Sequence, residues 1–381
     1  MIIKNDIKYL FIGQILPEKN NVYEENLLCE MYKQIDDSLT VLSINKAIRD
    51  KNITNELGQI TIDILPTKRK LIIDDFYRIF KTISYVKKWC INNKNYQKKI
   101  IILNTPTDIE IGLLYLKNRF NLTIVNLIID TALGNFQKKG FRSFYFYYFY
   151  KIGESLARYM SGALALSSDV FSYLNLDKNP CMLTKIGHNE KENFLTLSEK
   201  KHIRKRIVYT GTLISYDGIQ ELLDAVTLLP EDKYELHIYG TGPLLDLVKE
   251  YQSKYENIIY YGYLKNKEIK SVLSQADILL NIRISNFYTD IFGFPSKLIE
   301  YILSGTPIVS TNFKTLPGEI SEFLYITKDV TPKSIADQIL KLEKLDFNFI
   351  NENSKLAYDH VLNNYKYEDI VKEIIMFVNS I

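Results

Sequence analysis

The chain alternates short apolar runs with longer amphipathic segments along most of its length. The short runs are bounded by glycine, asparagine or aspartate, as is typical of buried strands. The longer segments repeat apolar residues every three or four positions, which predicts helices. This alternation indicates βαβ units, in which helices cover both faces of a parallel sheet. The predicted strands are 9–13, 39–44, 60–65, 99–104, 122–129, 162–167, 182–186, 207–211, 235–239, 258–261, 278–282 and 308–309.

The predicted helices lie between these strands, and the pattern starts again near the middle of the chain. It therefore predicts two successive doubly wound α/β domains, residues 1–195 and 203–360, with the polar and basic segment 191–206 as the linker. The predicted helices are 24–35, 72–91, 108–118, 144–159, 170–174, 218–229, 244–253, 266–275, a short one after Pro295, 334–344 and 367–379.

Composition excludes several classes of protein. The 381 residues are 46% hydrophobic and 24% charged, as in globular proteins, and the net charge of +3 is too small to indicate nucleic-acid binding. The three cysteines are scattered, which predicts neither a disulfide nor a metal site. The sequence shows neither a signal peptide nor a long uncharged apolar run, so we expect no membrane span.

Residues 292–310 carry the pattern on which a functional interpretation depends. Pro295 suits the first turn of a helix and Gly305 the position after its end, where a buried strand follows. The free N–H groups of such a helix form an anion site, to which Lys297 adds a positive charge. Glu300, one turn further, can accept hydrogen bonds from both hydroxyls of a ribose. The pattern indicates a nucleotide or nucleotide-sugar site, although an ordinary helix–strand unit with a surface glutamate fits equally well.

The second half of the chain resembles the nucleotide-sugar-binding domain of a GT-B glycosyltransferase. It is most similar to the large retaining family 4 group, which builds bacterial polysaccharides. The first half matches in layout only, as expected where acceptors differ. The order and spacing of the landmarks carry the resemblance. They are 209–213 (YTGTL), 217–219 (DGI), 236–243 (LHIYGTGP), 261–264 (YGYL), 276–278 (ADI) and 294–309 (FPSKLIEYILSGTPIV).

The resemblance implies an α/β GT-B fold: two Rossmann-like domains that face a cleft, with residues 361–381 returning to the N-terminal domain as a helix. It implies that a nucleoside diphosphate sugar, with UDP expected, binds the C-terminal domain, and that a glycan or lipid-linked oligosaccharide acceptor binds the N-terminal domain. No cofactor is expected. The predicted catalytic residues are Asp130, Lys297 and Glu300, and the predicted binding residues are Gly13, Gly211, Gly240, Gly262, Tyr263, Leu264, Arg283, Asp290, Pro295, Ser296, Lys297 and Glu300.

The resemblance also assigns roles, with two departures. The backbone of 262–264 would contact the base, the helix start at Ser296 and Lys297 the diphosphate, and Glu300 the ribose. Many members have a second glutamate where Phe292 stands here, and Asp290 is the nearest substitute. They also often have a basic pair where this chain has Thr212 and Asp217, so Lys297 and Arg283 would have to stabilise the leaving diphosphate.

The segment 138–151 is basic at its start and then almost continuously aromatic. Tyrosine and phenylalanine beside basic residues are typical of helices that lie in a membrane interface. We therefore expect a cytoplasmic protein that contacts the inner face of the plasma membrane through this segment. A helix packed between sheet and loops fits the same pattern.

Other single features are ambiguous or negative. Gly240-Thr241-Gly242 follows a strand, but the third glycine of a dinucleotide fingerprint is missing. Asp130 ends a strand and could orient or deprotonate an acceptor hydroxyl, or serve as a loop residue. Gly13 could allow a ligand to approach the backbone, or form a turn. The sequence contains no Asp-x-Asp motif, and its four histidines lack metal-ligand spacing; His188 remains a weak candidate near the cleft.

The sequence thus predicts a metal-independent, retaining sugar transfer in the synthesis of capsule or another surface polysaccharide or glycoconjugate. A nucleotide-sugar epimerase of the same fold and a non-catalytic GT-B partner subunit remain as alternatives.

Overall fold

The computed structural model describes residues 6–13, 22–44, 54–57, 60–64, 71–104, 109–129, 141–189, 202–264 and 266–381. The chain divides into two compact units, residues 1–189 together with 367–381, and residues 190–366. The boundaries expected from the sequence were 195 and 361. The aspartate at position 130 and residues 138–140 of the aromatic segment lie outside the described residues.

The first unit contains a sheet of eight described strands in the order β3-β4-β2-β1-β5-β6-β7-β8. Its strands pair in parallel except for β3, which pairs antiparallel with β4. The strands are β1 (Ile7–Gly13), β2 (Leu39–Ser43), β3 (Thr54–Leu57), β4 (Ile60–Ile64), β5 (Lys98–Asn104), β6 (Thr123–Ile128), β7 (Gly162–Ala165) and β8 (Cys181–Leu183). The helices are α1 (Val22–Ile35), α2 (Leu71–Asn92), α3 (Glu110–Phe120), α4 (Phe141–Leu156) and α5 (Ser168–Tyr173).

The second unit contains a parallel sheet of six described strands in the order β11-β10-β9-β12-β13-β14. The strands are β9 (Lys205–Thr210), β10 (Tyr234–Tyr239), β11 (Ile258–Gly262), β12 (Ile278–Asn281), β13 (Ile308–Ser310) and β14 (Tyr325–Ile326). The helices are α6 (Ile219–Thr227), α7 (Leu245–Lys254), α8 (Asn266–Gln275), α9 (Phe287–Ile291), α10 (Lys297–Leu303), α11 (Gly318–Ser321), α12 (Pro332–Glu343) and α13 (Phe347–Asn364).

The central strands are mainly apolar because both faces of each sheet are covered. In the first unit the side chains of Leu10, Phe11 and Ile12 in β1 are fully buried. The last helix, α14 (Tyr367–Ser380), belongs to this unit and is held there by polar contacts. The hydroxyl of Tyr9 donates to Asn379 Oδ1 at 2.8 Å, and Lys98 Nζ donates to the Asn379 carbonyl at 2.8 Å.

The structure corrects several sequence predictions. Lys205 and Arg206, placed in the linker, are the first residues of β9. The helix predicted to start at Pro295 begins at Lys297. The aromatic helix α4 ends at Leu156 and a 3₁₀ turn continues it to Tyr159. Five elements were not predicted: β3, β14, α9, α11 and α13.

Candidate functional site

The second sheet changes direction between β9 and β12. From β9 the strand order runs to β10 and β11 on one side, and from β12 to β13 and β14 on the other. The loops that follow β9 and β12 therefore separate at the carboxyl ends of the strands. In open α/β sheets, ligands bind in the crevice at such a switch point. The loop after β9 contains Gly211 and Asp217, and Arg283 follows β12.

Two glycines allow the ends of β9 and β10 to pass close to each other. Gly211 and Gly240 both have φ of +144°, a conformation that side chains rarely adopt. A Cβ atom on Gly240 would lie 1.8 Å from the carbonyl oxygen of Gly211. The Gly211 N–H donates to the Tyr239 carbonyl at 3.0 Å, and the Gly240 N–H donates to the Gly262 carbonyl at 2.8 Å. These predicted binding residues therefore have a packing role, since the two strand ends can approach this closely only at glycine. We call this close approach of Gly211 and Gly240 the glycine crossing.

Helix α10 is fixed to the end of β9 by a buried tyrosine. The hydroxyl of Tyr301 accepts the Thr210 N–H at 2.9 Å and lies 3.2 Å from the Thr210 carbonyl, to which it donates. Lys297 lies four residues earlier and so on the same face of the helix. Its Nζ is 4.2 Å from the centroid of the Tyr209 ring and would be 3.5 Å from a Cβ on Gly211. We call these hydrogen bonds of Tyr301 to Thr210 the Tyr301 clamp. The clamp holds the helix so that the Lys297 ammonium group lies at the switch point.

Asp217 holds two cations together at this point. Its Oδ1 accepts from Arg283 Nη1 at 2.8 Å, and its Oδ2 lies 3.4 Å from Lys297 Nζ and accepts from Tyr209 Oη at 3.2 Å. The exposed fractions of the side chains are 8% for Arg283, 11% for Asp217 and 13% for Lys297. Two cations against one carboxylate leave one positive charge in a largely desolvated crevice. The three residues are called the ion cluster below.

The backbone around Asp217 brings the two loops of the ion cluster together. Gly218 has φ of +63°, and a Cβ atom there would lie 2.3 Å from Ile282 Cγ2. The carbonyl of Tyr216 accepts the Ile284 N–H at 3.0 Å. The turn after β9 is therefore packed directly on the residues that flank Arg283.

The electrostatic environment affects the protonation of the ion cluster. Burial lowers the pKa of Lys297 to about 8, although the Asp217 carboxylate opposes this change. Burial, with the charge of Asp217, raises the pKa of the Tyr209 phenol well above its usual value. Lys297 is consequently cationic for the most part at neutral pH, and Tyr209 is neutral.

The start of α10 differs from the anion site expected from the sequence. The amides of Leu298 and Ile299 donate to the carbonyls of Pro295 at 2.9 Å and Ser296 at 3.3 Å, so they are already engaged. Ser296 is exposed and makes no side-chain cap. Glu300 is exposed on the next turn. Two amides of the first turn are therefore used within the chain, and the Lys297 ammonium group is the charged candidate for a diphosphate contact at this helix start.

The predicted base-contacting residues, 262–264, are the last residue of β11 and the two that follow it, at the same edge of the sheet. Gly262 has φ of +85°, and its carbonyl accepts the Gly240 N–H. The side chain of Tyr263 is exposed and that of Leu264 is half-buried. The hydroxyl of Tyr260 donates to the Gly240 carbonyl at 2.8 Å, which ties β11 to the glycine crossing.

Phe292 stands at the position where the resemblance places a sugar-contacting glutamate, and it belongs to the core. Phe292 is buried and its ring lies 6.4 Å from the ring of Tyr288. Asp290, the proposed substitute, lies on α9 and accepts from Ser285 Oγ at 2.7 Å. Helix α9 begins with a capping box, in which the Asn286 side chain accepts two amides and Thr289 Oγ1 accepts the Asn286 N–H.

The candidates in the first unit are less defined. Gly13 is the last residue of β1, and its carbonyl accepts the Ile44 N–H at 2.9 Å. His188 is buried, and its carbonyl accepts the Tyr367 N–H at 3.1 Å. Within the described part of the chain, no group of three His, Cys, Asp or Glu side chains could hold a metal ion. The described helices include none that is long and apolar enough to cross a membrane.

Comparisons with known proteins place the chain beside glycosyltransferases. Residues 204–344 match the protein family described as Glycosyl transferases group 1. An uncharacterised 41.2 kDa protein in the cps region of Klebsiella pneumoniae is 24% identical over 197 residues, 51% of this chain and 52% of its own length. WcaL of Escherichia coli K12, named as a candidate glycosyltransferase of colanic acid biosynthesis, is 23% identical over 184 residues, 46% of this chain and 45% of its own. The chain thus spans about half the length of these relatives.

A solved structure matches the whole chain. HepE from Anabaena, crystallised with UDP, superposes with a TM-score of 0.69 over 98% of this chain and 100% of its own, at 14% sequence identity. This likeness establishes the fold. The match to Glycosyl transferases group 1 thus lies within the second unit, and the chain has the GT-B fold of the glycosyltransferases.

Proposed function

We propose that the protein transfers a hexose-type sugar from a nucleoside diphosphate sugar, with UDP as the expected nucleotide, to an acceptor hydroxyl. The observation that carries this proposal is the ion cluster, a desolvated net positive charge at the switch point of the second sheet. A diphosphate is the ligand that such a site would attract. The product would be part of a capsule or another surface polysaccharide or glycoconjugate, as the names of the relatives suggest.

In the proposed reaction the bond between the anomeric carbon and the diphosphate oxygen breaks, and its electron pair leaves with the diphosphate. The acceptor oxygen forms the new bond on the same face of the sugar, so the configuration is retained. The acceptor proton passes to a diphosphate oxygen or to Asp130. Arg283 and Lys297 would stabilise the negative charge that develops on the leaving group. Within the described residues, Arg283 Nε is buried without a hydrogen-bond partner, which supports its use by a ligand.

The two cations also support transfer without a metal, because they would supply the charge stabilisation that a divalent ion supplies elsewhere. Activity that survives excess EDTA would agree with this proposal, and activity restored only by Mg²⁺ or Mn²⁺ would contradict it.

The remaining predicted contacts complete the donor site. Glu300 would bind the ribose hydroxyls, the backbone of 262–264 the base, and Asp290 the sugar. The acceptor would be a glycan or a lipid-linked oligosaccharide, bound by the first unit. The protein would then work in the cytoplasm, with the segment 138–151 at the inner face of the plasma membrane.

The experiment that tests the function is incubation with a panel of nucleotide sugars. Slow release of the nucleoside diphosphate by hydrolysis supports a transferase, and release that is accelerated by an acceptor establishes it. An isomerised sugar would establish the epimerase instead. Failure to bind any nucleotide would favour the non-catalytic partner subunit.

The ribose contact is tested with Glu300→Ala. This variant should bind UDP about tenfold more weakly, because two hydrogen bonds to a charged acceptor are lost. A UDP analogue without the ribose 2′- and 3′-hydroxyls serves as the matched control, since its affinity should not change. Equal UDP affinity for the variant and the wild type would reject the ribose assignment.

A further inference from the structure

Three helices of the first unit form one continuous layer. Helix α3 contacts both α2 and α4. It meets α2 at Gly112, where an added Cβ would lie 2.2 Å from Ile83 Cγ1. On its other side, Lys117 Nζ donates to the carbonyl of Tyr159, in the turn after α4, at 2.7 Å. The outward sides of these helices therefore form a single surface.

That surface exposes large apolar side chains. Phe80 on α2 is 68% exposed and Tyr115 on α3 is 61% exposed. Moving such side chains from water into an apolar environment would be favourable. We call this set the outer face. Its members are Phe76, Phe80, Ile111, Tyr115, Tyr147, Tyr148, Ile152 and Tyr159.

Among the described side chains, the exposed charges around the outer face are basic. The side chains of Asp74 and Asp75, near the start of α2, lie outside the described residues. Among the side chains described in these three helices and the turn after α4, the two acidic residues are Glu110 and Glu154, and both are buried. Bases lie beside the aromatic rings: Arg119 Nη1 donates to Tyr115 Oη at 2.9 Å, and the Arg158 guanidinium lies 5.0 Å from the Tyr159 ring centroid. The exposed bases are Lys81, Lys87, Lys88, Arg119 and Arg158.

A groove between α3 and α4 adds an apolar recess beside a cation. It encloses about 440 Å³ and is lined by Leu114, Lys117, Asn118, Leu156 and Tyr159. Burial lowers the pKa of Lys117, so its ammonium group is partly withdrawn from water. An apolar recess next to an amine matches the junction between a lipid chain and its phosphate.

We propose that the outer face docks on the surface of an anionic lipid bilayer. Aromatic and aliphatic side chains would enter the headgroup–acyl boundary, and the bases would attract anionic headgroups. A symmetric contact with a second copy would place the same bases against each other. Nucleic acid could use the bases and rings, but it gives no site for exposed Ile111 and Ile152. The inference deepens the proposed function, because a lipid-linked acceptor lies on such a surface, and it does not depend on residues 138–146.

The test is sedimentation of the full chain with vesicles of phosphatidylcholine containing phosphatidylglycerol, compared with pure phosphatidylcholine. The wild type should bind the anionic vesicles more tightly, and added salt should weaken the binding. The double variant Phe80→Ser/Tyr115→Ser should bind them about tenfold more weakly or worse, because two interfacial anchors are lost. Lys87→Glu/Lys88→Glu should lose the preference for anionic vesicles.

A matched control is Phe349→Ser/Leu356→Ser on α13 of the second unit, where both side chains are similarly exposed. This variant should bind vesicles as the wild type does. Equal vesicle binding by the Phe80/Tyr115 variant and the wild type would overturn the proposal. So would a wild-type dimer in light scattering that the variant abolishes, or binding to single-stranded RNA with none to vesicles. UDP affinity is measured separately, so that failure of the donor site and failure of the outer face give different results.

Discussion

In the second unit the buried carboxylate of Asp217 lies between two cations, whereas in the first unit the buried carboxyl of Glu110 faces a neutral amide. Asp217 accepts from Arg283 and lies beside Lys297. Glu110 accepts from Asn126 Nδ2 at 3.0 Å. Burial raises the pKa of Glu110 well above its usual value, and the charge of Glu154 adds to this effect.

The difference separates two uses of a buried acid. An ionised Asp217 positions two cations and leaves a net positive charge for a ligand at the switch point. Burial disfavours the charged form of Glu110, so this acid offsets the neighbouring bases little, and the other described acid of the helix layer, Glu154, is also buried. In the second unit the excess positive charge lies inside a crevice, and in the first unit the exposed bases lie on an outward face.

The largest expected effect comes from removing the backbone crossing on which the ion cluster rests. Gly240→Ala should destabilise the second unit by about 3 kcal/mol or more, because its Cβ would overlap the Gly211 carbonyl. Gly262→Ala is the matched control: its Cβ would meet nothing within 4 Å, so the cost is the strain of a positive φ, about 1–2 kcal/mol. Urea unfolding measures both, and equal losses of stability would contradict the account of the crossing.

Asp217→Asn tests whether the carboxylate keeps Lys297 charged. The pKa of Lys297 is lowered to about 8, so nucleotide affinity in the wild type should fall as the pH rises through that value. Removing Asp217 removes a charge that raises this pKa. The fall in UDP affinity should therefore move to lower pH, as followed by calorimetry between pH 6 and 9. A midpoint unchanged from the wild type would show that Asp217 does not act through Lys297.

Glu110→Gln tests the other side of the comparison and should have the smallest effect. Because the folded-state pKa of Glu110 is raised, the folded protein retains a proton that the unfolded chain loses near pH 4.5. The stability from this group is present at low pH and is lost as the pH rises above 4.5, by up to about 1.4 kcal/mol per pH unit. The glutamine variant should lack this contribution. Chemical unfolding at pH 5, 6 and 7 gives the free energy of unfolding of the wild type and the variant as a function of pH. The same pH dependence in both proteins would contradict a raised pKa of Glu110.

Twelve of the fourteen described strands were predictable because buried parallel strands are mainly apolar runs, whereas β3 and β14 were missed, with four and two residues. Helix α8 was predicted with the bounds it has, 266–275. Helix α13 was missed because its buried apolar residues, among them Ala357 and Val361, are confined to its second half and its first half is rich in asparagine. Helix α9 has five residues, too few for a periodic pattern, although the capping pair Asn286 and Thr289 could have indicated its start.

The site was predicted in part. Lys297 and Arg283 were named as the cations for the diphosphate because the chain has Thr212 and Asp217 where a basic pair was expected. The structure brings both cations to Asp217. The role of Asp217 was not predictable, because it lies 66 residues from Arg283 and their contact depends on how two loops pack. Two amides of the first turn of α10, those of Leu298 and Ile299, are used by a tight turn, and hydrophobic periodicity does not reveal such turn geometry. The anion site expected at this helix start stays a prediction.

The central claim is that Lys297, held by Asp217 and backed by the Tyr301 clamp, binds the diphosphate of a nucleotide. Calorimetric titration of Lys297→Met with UDP at pH 7 tests it most directly. The account predicts a dissociation constant about 10- to 100-fold above that of the wild type, as expected for loss of a charge-assisted hydrogen bond. It also predicts that the affinity no longer falls between pH 7 and 9. Wild-type affinity with an unchanged pH profile would contradict the claim.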